Sequence, residues 1–133
     1  MKASRHHWIT SSSTRLRVEV CDSMLTKKGI CESLKHQLFD RYASMVTDGV
    51  LEVHLLPVMQ QTNSIDCGVY AIANAVEFLT EGGNPLSNYD VGAMRTHLLK
   101  CLETKILTPF PKEVNVKRKG RRPQTKVIRL TRS

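Results

Sequence analysis

Aromatic side chains are scarce in this 133-residue chain, at 5%, with a single tryptophan. Any core must therefore rest on aliphatic residues. Hydrophobic residues make up 41% and charged ones 24%, an ordinary balance for one globular domain with a modest interior. No apolar run approaches the roughly 18 residues a membrane-spanning helix needs. The opening residues, Met1 to Trp8, hold no apolar stretch of a secretory leader. Neither a membrane protein nor a secreted disulfide scaffold is expected. The four cysteines stand at 21, 31, 67 and 101, with no C-x-x-C spacing. His6, His7, His36, His54 and His97 form no H-x-x-x-H pair. No metal site is expected, and the cysteines are expected as free thiols of a reducing, intracellular compartment.

The net charge is +8, and its distribution matters more than its size. Residues 1–111 hold 11 basic and 11 acidic side chains; residues 112–133 hold 9 basic ones and only Glu113. The body is balanced and the charge sits in an appendage. Residues 1–111 are therefore expected to form the domain, and 112–133 a basic, flexible tail. Lys117 to Arg122 is readable as a nuclear import signal or a weak nucleic-acid contact, but a solvated tail is the simpler reading. No aromatic residues interleave the basic ones, as single-strand binding would want.

Periodicity supplies the elements. Residues 7–10 read as a strand, Ser11 to Thr14 as a turn, and Arg15 to Val20 as a second strand. Leu16, Val18 and Val20 fall on its inner face, and Arg15, Arg17 and Glu19 on the outer. Ile30, Leu34, Leu38, Tyr42 and Met45 mark a helix over 30–46. After an Asp48-Gly49 turn, residues 50–56 make a third strand, stopped by Pro57. A helix runs from Cys67 to the Gly82-Gly83 stop, with Val69, Ile72, Ala73, Val76 and Leu79 expected as its buried stripe. Residues 90–102 form another helix, and Val127, Ile128 and Leu130 allow one short edge strand. The order predicts an α+β domain: a small mixed or antiparallel sheet packed by helices.

The segment from Gln60 to Tyr70 carries the chemistry. Cys67 falls at the first turn of a predicted helix, where the dipole and unpaired N–H groups favour its thiolate. Upstream, Gln61 offers an amide to a developing oxyanion, with Gln60 as the neighbouring alternative. A thiolate nucleophile calls for a histidine and an orienting acid. His7 on the first strand and Asp22 at the end of the second can meet across a hairpin. Taken alone, this pattern also fits a structural cysteine, a surface histidine and a turn-forming aspartate.

Read together, His7-Trp8, Asp22-Ser23, Pro57, Gln60-Gln61-Thr62-Asn63 and Asp66-Cys67-Gly68-Val69-Tyr70 resemble the ubiquitin-like-protein proteases, the SUMO-deconjugating and adenain-like cysteine proteases. The similarity covers roughly residues 6–111. It implies a cysteine-proteinase-like fold with the catalytic cysteine at a helix N-terminus. It implies Cys67 as nucleophile, His7 as base and acid, Asp22 as orienting group, and Gln61 with the Cys67 N–H as oxyanion hole. Trp8 would wall the channel over the substrate's Gly-Gly end. The partner implied is a SUMO-like ubiquitin-like protein or its conjugates, with no cofactor. Family domains carry a substantial segment before the H-W strand, often with a second tryptophan. Six residues precede His7 here, so an N-terminally shortened domain is expected. The rival readings are an inactive relative serving as a binding module, and a basic nucleic-acid-associated protein.

Overall fold

The structure is a computed structural model that describes residues 2–4, 7–26, 29–63, 66–114 and 124–132. Strands β1 (Lys2–Ser4) and β2 (His7–Trp8) form a small antiparallel ribbon. A four-stranded sheet follows, in the order β3-β4-β5-β6: β3 (Thr10–Ser12), β4 (Val18–Cys21), β5 (Val50–Leu55) and β6 (Lys126–Thr131). Helices α1 (Glu32–Arg41), α2 (Cys67–Leu79) and α3 (Val91–Thr104) complete the α+β domain, a small mixed sheet packed by helices.

The central pair β4 and β5 is parallel, with Val18 beside Val53 and Val20 beside Leu55. Parallel strands need a crossover, and α1 supplies it. Its Leu34 and Leu38, at i and i+4, pack on Val18, Val20, Leu51, Val53 and Leu55 in one cluster. Glu32 in its first turn and Arg41 in its last oppose the helix dipole favourably. The crossover ends in a two-residue turn at Asp48 and Gly49, both with left-handed φ (53° and 76°), closed by hydrogen bonds between Thr47 and Val50. That is the twist a tight turn into a strand requires. Because β4 and β5 run the same way, their carboxyl ends lie side by side. The ladder continues past them: the Leu56 N–H donates to the Val20 carbonyl and the Gln61 N–H to the Ser23 carbonyl, each at 2.9 Å. The site described below sits on these two ends.

Several expectations are corrected. The strand expected over 7–10 is broken at Ile9 into β2 and β3, and Ser11 and Ser12, read as turn, belong to β3. Arg15 to Arg17 are turn rather than strand: the Leu16 N–H bonds the Ser13 carbonyl, Leu16 has φ 64°, and its side chain is 93% exposed. Glu19, expected outside, is fully buried, held by the guanidinium groups of Arg15 and Arg17. Burial pushes its carboxyl up, but the hydrogen bonds and charges of the two arginines together outweigh that and hold it low.

On α2 the buried side is Tyr70, Ala73, Asn74, Val76 and Glu77, while Ile72 and Leu79 of the expected stripe are exposed. Two of its buried polar side chains have partners, while the Tyr70 hydroxyl and Glu77 Oε2 have none among the described residues. Asn74 accepts from the Tyr89 hydroxyl at 2.8 Å, and Glu77 pairs with Lys112 at 2.7 Å. Finally, residues 126–131, placed in the basic tail with a short edge strand allowed at Val127, Ile128 and Leu130, form β6. It pairs antiparallel with β5 at six successive positions from Val50 beside Thr131 to Leu55 beside Lys126. The basic run at 117–122 lies outside the described residues. No helix among the described residues is long and apolar enough to cross a membrane.

Candidate active site

Asp22 follows directly on β4. Its Oδ1 accepts the Met24 N–H at 2.9 Å, an Asx turn that fixes the carboxylate at the strand end. The same oxygen accepts from His7 Nε2 at 2.8 Å. Asp22 is buried and the His7 side chain largely so. A carboxylate can only accept, so this contact assigns the ring proton to Nε2 and leaves the lone pair on Nδ1. Nδ1 is itself buried and has no hydrogen-bond partner in the structure among the described residues. A buried imidazole nitrogen with an available lone pair is the atom a neighbouring thiol would protonate.

The two glutamines divide their work. Gln60 Nε2 donates to the Asp22 and Val58 carbonyls at 2.9 and 3.1 Å, and its Oε1 accepts the Leu25 N–H at 2.9 Å. Both its amide hydrogens are thereby used, and it clamps the turn after β4 to the loop after β5. Among the described residues, Gln61 Nε2 donates once, to the Asn63 carbonyl at 2.6 Å, and its Oε1 accepts from the Ser23 hydroxyl. Of the two, Gln61 retains an amide hydrogen for a ligand.

Cys67 is the first residue of α2 and is buried. The helix packs against β2 and β3, the strands flanking Ile9, and the Thr10 hydroxyl donates to the Ala71 carbonyl. The helix that begins with the thiol is thus held on the strand that carries His7. Asp66 makes no side-chain cap; it anchors the loop instead. Asn63 and Asp66 bond reciprocally: Asn63 Nδ2 donates to Asp66 Oδ2 at 2.7 Å, and the Asp66 N–H to Asn63 Oδ1 at 3.0 Å. Arg95 of α3 donates to Asp66 Oδ1 at 2.8 Å. The sequence reading missed Arg95, since nothing in its spacing ties it to a residue 29 positions away.

The Asn63 hydrogen bond first, and then those of Arg95, hold the Asp66 carboxyl below the usual carboxylate range. Its folded-state value is lowered, so its stabilising contribution is complete above the unfolded value of about 3.9 and is lost only as pH falls further. The gap in melting temperature between the native chain and Asp66→Asn is expected to stay constant from about pH 7 to pH 5 and to narrow below about pH 4. Thermal unfolding followed by circular dichroism across that range checks it. A gap that widens on acidification would contradict the assignment.

Trp8 is 46% exposed and lines a cavity of about 610 Å³. Its walls include Thr10, Tyr42, Gly68, Ala71 and Ile72. The cavity therefore opens beside the residue after Cys67, with small side chains on the helix wall that leave room for an extended chain. Burial, and then the charge of Glu19, pushes the Cys21 thiol up to about 12, which leaves almost no thiolate at neutral pH. Cys31 is exposed at the start of α1, and Cys101 is buried in α3. No group of three or more His, Cys, Asp or Glu among the described residues is placed to hold a metal ion.

A partly exposed histidine is held by an aspartate at a sheet end, and a cysteine opens the adjacent helix. Residues 2–109 match the model of the Ulp1 protease family, C-terminal catalytic domain. The chain belongs to that family of cysteine peptidases, whose members act on ubiquitin-like proteins such as SUMO. No curated protein and no solved structure matches the chain.

Proposed function

We propose that this chain is an active cysteine peptidase that hydrolyses the peptide or isopeptide bond after the C-terminal glycine of a SUMO-like protein. Cys67 is the nucleophile. Its Sγ proton passes to His7 Nδ1, and the thiolate attacks the glycine carbonyl carbon. Asp22 holds the ring and stabilises the imidazolium as it forms. The oxyanion is met by Gln61 Nε2–H and the backbone N–H of Cys67. The proton on Nδ1 then goes to the leaving amine, the C–N bond breaks, and a thioester remains. Water gives a proton to Nδ1 as it attacks the thioester, and the thiol is regenerated when that proton returns to sulfur. Trp8 and the cavity beside Gly68 receive the narrow Gly-Gly end of the substrate. The observation that carries the reading is the His7 Nε2 to Asp22 bond with Nδ1 left unpartnered in the interior.

The test is a panel of ubiquitin-like proteins, each bearing a C-terminal electrophile. A covalent adduct with a SUMO-like member is expected, and peptide mass spectrometry is expected to place it on Cys67 rather than on the exposed Cys31. Folded protein that forms no adduct with any member would overturn the activity and favour a binding-only relative. An adduct with a different member alone would move the specificity and keep the chemistry.

A further inference from the structure

We infer that Ser23 is a positioning residue for this reaction, holding the Gln61 amide in the orientation that offers its N–H to the oxyanion. The inference rests on the oxyanion role proposed for Gln61. Two adjacent residues of one turn reach two different parts of the site. Asp22 takes the His7 N–H through its carboxylate. Ser23, 2% exposed, holds Gln61 twice: its carbonyl accepts the Gln61 backbone N–H at 2.9 Å, and its hydroxyl donates to Gln61 Oε1.

The direction of that second bond is fixed by the far side of the amide. Gln61 Nε2 faces the Asn63 carbonyl at 2.6 Å. A backbone carbonyl accepts only, so the nitrogen lies toward Asn63, the oxygen lies toward Ser23, and the Ser23 hydroxyl must donate. The amide is thereby held at both ends, and its second hydrogen points along one direction. Without the hydroxyl, only the Asn63 carbonyl restrains it, and the terminal torsion of a glutamine is a broad, soft one. The turn itself has other support: Gln60 bonds the Asp22 carbonyl and the Leu25 N–H, and Asp22 bonds the Met24 N–H. Loss of the Ser23 hydroxyl is therefore expected to loosen Gln61 and leave the His7–Asp22 pair in place.

The experiment is steady-state hydrolysis of a SUMO-like protein carrying a C-terminal fluorogenic amide. Ser23→Ala is expected to lower kcat about tenfold with KM changed by less than about twofold, because the interaction is used in the transition state. Gln61→Ala is expected to cost about 10²-fold or more. In the Gln61→Ala background, Ser23→Ala is expected to add nothing. Ser23→Thr keeps the hydroxyl and Ser23→Val is its isostere without one, so kcat for Thr above Val isolates the O–H whatever either does to folding. Additive losses from Ser23 and Gln61, or equal rates for Thr and Val, would overturn the inference. If the native chain hydrolyses nothing, the proposed function fails, and the Gln61 side-chain amide resonances decide the positioning separately. Two dispersed proton shifts that collapse toward free glutamine in Ser23→Ala support it. Shifts identical in both proteins refute it.

Discussion

His7→Ala is expected to reduce kcat by on the order of 10²- to 10⁴-fold while the protein remains folded. The size follows from what Nδ1 does in the proposed cycle. It removes the thiol proton before attack and supplies the proton to the leaving amine, so both halves of acylation depend on it. The structural cost is smaller. Asp22 keeps the Met24 N–H as a donor after the imidazole is gone, so the buried carboxylate is not orphaned. A loss of about 1.5–3 kcal/mol in stability is the scale for one hydrogen bond to a charged group. His54→Ala is the matched control. That histidine lies on β5 and bonds Glu52 at 3.1 Å rather than Asp22. Its removal is expected to leave kcat unchanged. Rates and thermal melts of the three proteins check the claim together. A His7→Ala enzyme within about tenfold of the native rate, or a His54→Ala enzyme as crippled as His7→Ala, would remove His7 from the mechanism.

The elements that sequence reading located well are those with one dominant periodicity. β5 shows it: Leu51, Val53 and Leu55 alternate with more exposed neighbours, and all three are buried. The stretch from Arg15 to Val20 has an equally clean alternation and misled, because a turn occupies half of it. Alternation reports a face only where the backbone is extended, and Leu16 is left-handed. Glu19 misled for a different reason. A carboxylate reads as solvent-facing unless two guanidinium groups cover it, and that is a tertiary fact. On α2, apolar residues occur on several sides of the helix, so no single stripe was determined. Asn74 and Glu77 mark the truly buried side through partners at Tyr89 and Lys112.

The site divides in the same way. The sequence reading proposed His7, Asp22, Gln61 and Cys67 because thiol chemistry calls for such a set and their order resembles that of a known family. Ser23 and the pairing of Asp66 with Arg95 were not legible. They depend on β4 and β5 being parallel neighbours and on α3 reaching the loop before α2. Nothing local in the sequence specifies either.

Leu130→Asp is expected to destabilise the fold by about 3–5 kcal/mol, and the reason bears on where the domain ends. The family match stops at residue 109, yet β6 lies beyond it and pairs with β5 along its whole length. Strand β5 is thereby covered on both edges, by β4 and β6, rather than left open to other chains. Leu130 is 7% exposed and sits opposite Leu51 in the cluster that contains Leu34 and Leu38 of α1. Arg132, just past the strand, pairs with Asp40 and lies over the Phe39 ring at 5.3 Å, tying the strand end to the same helix. Removing the leucine loses about 2–3 kcal/mol of apolar burial. An unpaired carboxylate in that cluster adds a desolvation cost of at least about 1–2 kcal/mol. Against a total stability of about 5–15 kcal/mol, the urea midpoint should fall by about 2 M. Val127→Asp is the internal comparison. It lies on the same strand, is 47% exposed, and should cost less than about 1 kcal/mol. If the two substitutions cost the same, β6 does not pack on α1 as described, and residues 126–131 revert to the detachable basic tail that their composition alone suggests. If Leu130→Asp is the costlier by the expected margin, the last strand is part of the folding unit. The sheet that aligns the turn after β4 with the loop after β5 then depends on a segment whose lysines and arginines conceal its one buried leucine.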